Sequence, residues 1–186
     1  LLGVVLSILL YALLIKNNKR IKIALLSIIS LLVLIGGLSF VFRSTDFVKS
    51  IPTIGRIANV SISEGTAKTR LMAWDIAIQA WQDKPIFGWG PNNYFYAFNA
   101  HFNPDFLKFG YQETWWDNAH NVLLNTLATQ GLVGLLSYLV IFILATYSLY
   151  KVYKKDTTNL HLLVLGIGFL VGHLVHNLFA FENVIS

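Results

Sequence analysis

The chain has 186 residues, 55% of them hydrophobic and 12% charged, with a mean hydropathy of +0.61, whereas a water-soluble domain carries about 25% charge. This composition belongs in a lipid bilayer, and the absence of cysteine excludes a disulfide scaffold, an iron–sulfur cluster, a thiolate zinc site and a cysteine nucleophile. The formal net charge of +5 raises a nucleic-acid partner, which the placement of the 14 Lys and Arg residues then removes.

Four apolar runs without a charged residue cover positions 1–15, 23–42, about 132–150 and 160–181, so the sequence predicts an all-α polytopic membrane protein with four transmembrane helices. The first run would be only about 22 Å long against a hydrocarbon core of about 30 Å. It begins at Leu1 without an initiator Met, and the chain therefore reads as a piece of a longer protein. Residues 181–186 read as a short turn cut off before a further apolar run. A signal peptide is disfavoured because the basic residues follow the first run and no small-residue cleavage site closes it.

Lys16, Lys19, Arg20 and Lys22 lie between the first two runs, and Lys151, Lys154 and Lys155 between the last two, so seven of the 14 basic residues occupy two short loops. The other seven (Arg43, Lys49, Arg56, Lys68, Arg70, Lys84, Lys108) are matched by seven acids in the long middle segment. By the positive-inside rule both short loops face the cytoplasm, the excess charge is topological, and no nucleic-acid partner is expected. The expected organisation is a transmembrane hairpin at 1–42, an extracytoplasmic loop at 43–119, and a second transmembrane hairpin at 120–186.

That loop is too long for a simple connection, and loops of its length are functional or disordered. Disorder does not fit. Residues 70–83 place Leu71, Trp74, Ile78 and Trp81 at helical spacing, which predicts an amphipathic helix along the membrane surface that ends before Lys84-Pro85. Residues 85–93 are turn-rich; Gly88 and Gly90 permit unusual backbone angles, and a nucleotide-loop reading fails for want of a third glycine and a preceding buried strand. Ten of the 23 residues in 94–116 are aromatic, which suits an interfacial belt, a platform for sugar rings or a lipid carrier, or both for different residues, with Asn92, Asn93, Asn99, His101 and Gln112 adjoining. Asp117 or Asn118 then offers an N-cap, which would set His120 in the first turn of the following helix. A helix N-terminus lowers a histidine pKa and a carboxylate raises it, so His120 reads as either a proton acceptor or a plain interfacial residue. Gly131 and Gly134 allow a bend or close helix contact.

Three motifs in this order resemble the O-antigen ligase and polymerase superfamily of bacterial membrane glycosyltransferases. They are Arg70-x3-Trp74, Pro85-x2-Gly88-x-Gly90, and His120-Asn121 followed by nine residues, Gly131, two residues and Gly134. The resemblance covers about residues 60–150 in motif and the whole chain in topology. It implies transfer of a glycan from a polyprenyl diphosphate carrier to an acceptor hydroxyl outside the cytoplasmic membrane, without metal or other cofactor. It further implies catalytic roles for His120 and Arg70. An upstream external loop with further arginines, used in this family, is missing from the chain. A guanidinium suits the diphosphate leaving group, and a neutral imidazole suits a weakly nucleophilic sugar hydroxyl.

The substrate-binding candidates are Trp74, Trp115, Trp116, Asp117, Asn118, Asn121 and His176. His173, His176 and Asn177 are read as sharing a face of the last span, where bonding between helices competes with a functional role, and Gly168-x3-Gly172 allows close helix approach. No metal is predicted, because the paired histidines have no acidic partner in the span. His161 and His101 are read as ordinary polar residues. The expected partners are the lipid-linked glycan donor, a hydroxyl acceptor and the bilayer. A protein O-oligosaccharyltransferase is the rival within the class. A transport subunit and a non-catalytic glycan-binding protein are the rivals outside it.

Overall fold

The computed structural model describes residues 2–15, 18–51 and 65–179. Lys16, Arg56, Glu64 and the turn read at 181–186 lie outside them, as do the side chains of Lys49 and Gln112. Every element among the described residues is helical: α1 (Leu2–Leu14), α2 (Lys19–Val41), α3 (Asp46–Ser50), α4 (Gly65–Asp83), α5 (Tyr94–Ala100), α6 (Val122–Lys155) and α7 (Leu160–Asn177), with 3-10 turns at Pro104–Phe109, Tyr111–Thr114 and Thr157–Asn159. Three of these are long and apolar enough to cross a membrane: α2, α6, and α7 together with its preceding 3-10 turn; α1 is apolar but shorter. The chain divides into two units, residues 1–62 with 149–169 and residues 63–148 with 170–186.

In the first unit α1 packs on α2, and Asn18 caps α2 by accepting a hydrogen bond from the Ile21 N–H at 3.3 Å. At 1.5 Å per residue α2 is about 34 Å long, enough for the hydrocarbon core. It buries none of its residues and leaves Leu31, Val33, Leu34 and Ile35 uncovered by protein, as a lipid-facing helix must. The Ser7 hydroxyl donates a forked bond to the carbonyls of Gly3 at 2.9 Å and Val164 at 3.3 Å. This close approach of α1 to α7 depends on Gly168, where a Cβ would overlap the Ser7 hydroxyl.

The second unit has a core of its own, and it corrects one expectation and refines another. The aromatic segment is neither only a belt nor only a platform: Tyr94, Phe98 and Phe106 are fully buried and Trp116 nearly so. Phe98 meets Phe106 edge-on at 5.3 Å between centroids and lies near-parallel to Trp116 at 6.4 Å. Complete burial of one such ring contributes about 2 kcal/mol. Tyr94 donates its hydroxyl to the Ala73 carbonyl at 2.7 Å, which satisfies the one polar atom the ring brings inside, and burial raises its pKa. The refinement concerns α4. Its buried face is Thr69, Ala73, Ile76, Ala77 and Ala80, while Leu71 and Ile78 remain exposed. Aromatic rings fill the space opposite, so the helix side that can approach them is the one with small side chains.

The second unit also contains the break that organises it. Helix α6 is interrupted at Gly131, whose φ of 67° and ψ of −164° belong to a region open essentially to glycine. An unbroken helix would bond the N–H groups of residues 132 and 133 to the carbonyls of 128 and 129. Here Leu132 and Val133 donate instead to the carbonyls of Pro85 at 2.9 Å and Ile86 at 3.2 Å. The freed carbonyls of Ala128 and Thr129 accept from Trp89 at 3.0 Å and Gly90 at 2.7 Å. The loop between α4 and α5 thus enters the helical ladder and satisfies all four groups. Its backbone lies so near that a Cβ on Gly88 would strike Thr129 and Gln130, and one on Gly131 would strike Ile86 and Phe87. Beyond the break, residues 132–155 form about 36 Å of helix at 1.5 Å per residue, a full span.

Gly131→Ala and Gly88→Ala should each lower the thermal stability of the detergent-purified protein by several degrees, because strain of about 1–3 kcal/mol adds to the backbone overlap. Gly36→Ala, where a Cβ meets nothing within 4 Å, should leave it unchanged. Equal melting temperatures for all three variants and the parent, read by loss of the monodisperse peak on heating, would contradict this account of the break.

Candidate functional site

Two indole N–H groups fix α4 against the rest of the second unit. Trp74 donates to the carbonyl of Ala119 at 2.9 Å, the residue immediately before His120. Trp89, in the inserted loop, donates back to the carbonyl of Ala80 at 2.8 Å. Arg70 precedes Trp74 by about one helical turn, so the first bond brings the arginine and histidine motifs together. Trp74 acts here as a tie between segments.

The segment 117–121 is shaped by short polar side chains, and the helix start differs from the sequence expectation. Asn121 supplies the cap: its side chain accepts the Leu124 N–H at 3.1 Å, and α6 begins at Val122. His120 therefore stands before the helix, with a φ of 51° that a non-glycine residue adopts at a cost. The side-chain oxygen of Asn118 accepts the His120 N–H at 2.9 Å, while the Asn118 amide donates to Asp117 at 2.7 Å. A third asparagine, Asn125, accepts the Ala119 N–H at 3.2 Å. Asn118 and Asn121 thus shape the backbone that presents the imidazole.

His120 and Arg70 line one cleft of about 260 Å³ together with Trp115, Trp116 and Asp117. Thr69 and Glu113 complete it, and neither was singled out from the sequence. Glu113 could have been suspected from its place four residues before Asp117 in the run that leads to His120; Thr69 had no signal beyond adjoining Arg70. The Trp116 ring stands edge-on to the imidazole at 5.0 Å and donates its indole N–H to Glu113 at 3.2 Å. Trp115 is 59% exposed and offers its ring to whatever enters. One Arg70 guanidinium nitrogen donates to the carbonyl of Phe179 at 3.2 Å, just past the end of α7.

His176 is exposed on α7 and does not line the cleft; its face-mates His173 and Asn177 bond to each other at 3.0 Å instead. His101 pairs with Asp83 at 2.7 Å at the edge of the aromatic core. Among the described residues, no three His, Asp or Glu side chains gather closely enough to hold a metal ion.

Burial lowers the pKa of His120, and the nearby Arg70 charge lowers it further, while Asp117 and Glu113 oppose the shift. The imidazole is therefore held neutral at physiological pH by burial and by a cation, whereas the sequence reading invoked a helix N-terminus. Because the folded-state pKa lies below the ordinary value of about 6.5, the neutral form persists as the pH falls through that value and is lost only below it. In an NMR titration the His120 midpoint should lie below 6.5, rise in Arg70→Gln, and fall further in Glu113→Gln; a midpoint at or above that of a free histidine would refute the assignment.

No curated protein matches the chain. A family model described as O-antigen ligase matches residues 1–139, from α1 through the Gly131 break and into the span beyond it. The match takes in both motif residues of the cleft and the inserted loop, and together with the long apolar helices it shows a multi-pass membrane protein with glycosyltransferase-like character at the level of its family. The chain belongs to the O-antigen ligase family.

Proposed function

We propose that the protein transfers a glycan from a polyprenyl diphosphate carrier to an acceptor hydroxyl on the outer side of the cytoplasmic membrane. The observation that carries this reading is the shared cleft of Arg70 and His120. Glycosyl transfer needs two things of a protein at once: stabilisation of a departing diphosphate and activation of a poor nucleophile. A guanidinium stays charged at every physiological pH and presents forked donors that match phosphate oxygens. A neutral imidazole accepts a proton. In the proposed step the acceptor oxygen bonds to the anomeric carbon as the carbon–oxygen bond to the diphosphate breaks. The hydroxyl proton passes to His120, and the polyprenyl diphosphate leaves with the bonding pair beside Arg70.

The cleft's other walls suit the sugar. Trp115 offers an aromatic face for the apolar side of a pyranose ring, and Asp117 and Glu113 offer acceptors for its hydroxyls. The same carboxylates disfavour the diphosphate and leave Arg70 as its cationic partner within the cleft. Sidedness is argued from the basic residues: Lys19, Arg20 and Lys22 at the start of α2, and Lys151, Lys154 and Lys155 at the end of α6, favour residues 43–119 lying outside.

In cells lacking the intact gene, restoration with His120→Ala or Arg70→Ala should abolish the surface-glycan ladder on a gel, with transfer in isolated membranes down by about 100-fold or more. A normal ladder from membrane-inserted variants would refute the enzymatic assignment. Since the chain has no cysteine, single substitutions report sidedness cleanly. Tyr111→Cys, at a position 86% exposed, should react with a membrane-impermeant thiol reagent from outside, and Thr157→Cys should not; the reverse pattern would invert the topology.

A further inference from the structure

We infer that Asn177 is a positioning residue for Arg70: it pins the end of α7 so that the Phe179 carbonyl holds the guanidinium at the cleft. A buried polar side chain at the end of a membrane span is costly unless it is bonded. Asn177 is 2% exposed, and its amide nitrogen donates to the Tyr138 hydroxyl on α6 at 2.7 Å and lies 3.0 Å from Nε2 of His173, one turn earlier. Its interhelical bond fixes the last residue of α7 to the span just beyond the Gly131 break. Two tight bonds carry the chain onward, from the Leu178 N–H to the Val175 carbonyl at 3.3 Å and from the Phe179 N–H to the His176 carbonyl at 3.0 Å. The Phe179 carbonyl, which this turn orients, accepts from Arg70 at 3.2 Å, and its ring lies 6.2 Å from that of Trp74.

A helix C-terminus presents carbonyls that attract a cation, so the bond serves both partners. It occupies one of the five N–H donors of the guanidinium and restricts the orientation of the rest. An arginine on an exposed helical turn otherwise samples many rotamers and loses that freedom only when it binds. The contact with Phe179 meets this ordering cost before any substrate arrives, which is how preorganised charge gains its effect.

The role in catalysis rests on Arg70 holding the donor diphosphate, but the placement of Arg70 can be read without any turnover. Tyr138→Phe removes the hydroxyl that Asn177 bonds and keeps the ring that packs 5.1 Å from Phe142; Asn177→Leu removes the amide. The readout is the NMR titration of His120, whose charged neighbours are Arg70, Asp117 and Glu113, in the full chain in lipid nanodiscs, assigned with His120→Gln. If Asn177 positions Arg70, both variants raise the His120 midpoint in the direction of Arg70→Gln, and Arg70→Gln shifts it less in the Asn177→Leu background than in the parent. In isolated membranes they lower transfer about 10-fold, a cost typical of misplacing a catalytic group by less than 1 Å, and Asn177→Gln restores part of it. Midpoints unchanged in both variants, or an Arg70→Gln effect that adds in full, would overturn the positioning role. If the midpoints move as expected while transfer is unaffected even in Arg70→Ala, the positioning stands and the glycosyltransferase reading falls.

Discussion

Between Pro85 and Val133 two backbone segments exchange hydrogen-bond partners. An α-helix cannot be interrupted inside a protein without leaving donors and acceptors unmet, each costing about 1–3 kcal/mol if buried. At Gly131 the interruption is answered by a loop that supplies two carbonyls to one side and two N–H groups to the other. The loop reaches so far in only because neither Gly88 nor Gly131 carries a Cβ. Two glycine motifs more than 40 residues apart are therefore one device, and the rest of the second unit is arranged around it. The inserted loop anchors the end of α4, Trp89 bonds back to α4, and Trp74 ties the middle of the same helix to the segment before His120. A helix long and apolar enough to span a membrane and the aromatic core of the second unit are joined through a single bend.

The cleft inherits its electrostatics from this frame. Arg70 faces His120 from one helix, while the backbone turn that presents the imidazole is held by Asn118 and followed by the cap of Asn121. Burial and the guanidinium keep the ring neutral against the pull of Asp117 and Glu113. An arginine, a histidine and two carboxylates in one small space are individually common, but their opposed effects on one imidazole are a means of tuning it near neutrality. The left-handed backbone of His120 is the local strain that this arrangement tolerates.

Some of the structure was legible residue by residue. The helix ending at Asp83, the turn with Gly88 and Gly90 in unusual conformations, and the bend at Gly131 all follow from local rules of capping and glycine stereochemistry. Other readings failed for a common reason. Asp117 and Asn118 are good capping residues by type, but the backbone turns at His120 and passes the cap to Asn121. Tyr94, Phe98 and Phe106 looked interfacial because aromatic composition alone does not distinguish a belt from a core.

By itself the sequence determined that this chain enters a membrane and which family its motifs belong to, while of the four spans it suggested three are helices long and apolar enough to cross. Partition into lipid is nearly a sum over neighbouring residues, so apolar runs carry their meaning locally. Only the tertiary structure decided which face of α4 is buried, that Glu113 joins the cleft, and that Arg70 is held by the carbonyl of Phe179, 109 positions away. Those outcomes depend on surfaces and hydrogen-bond partners contributed by distant segments, and no window along the chain contains both members of such a pair.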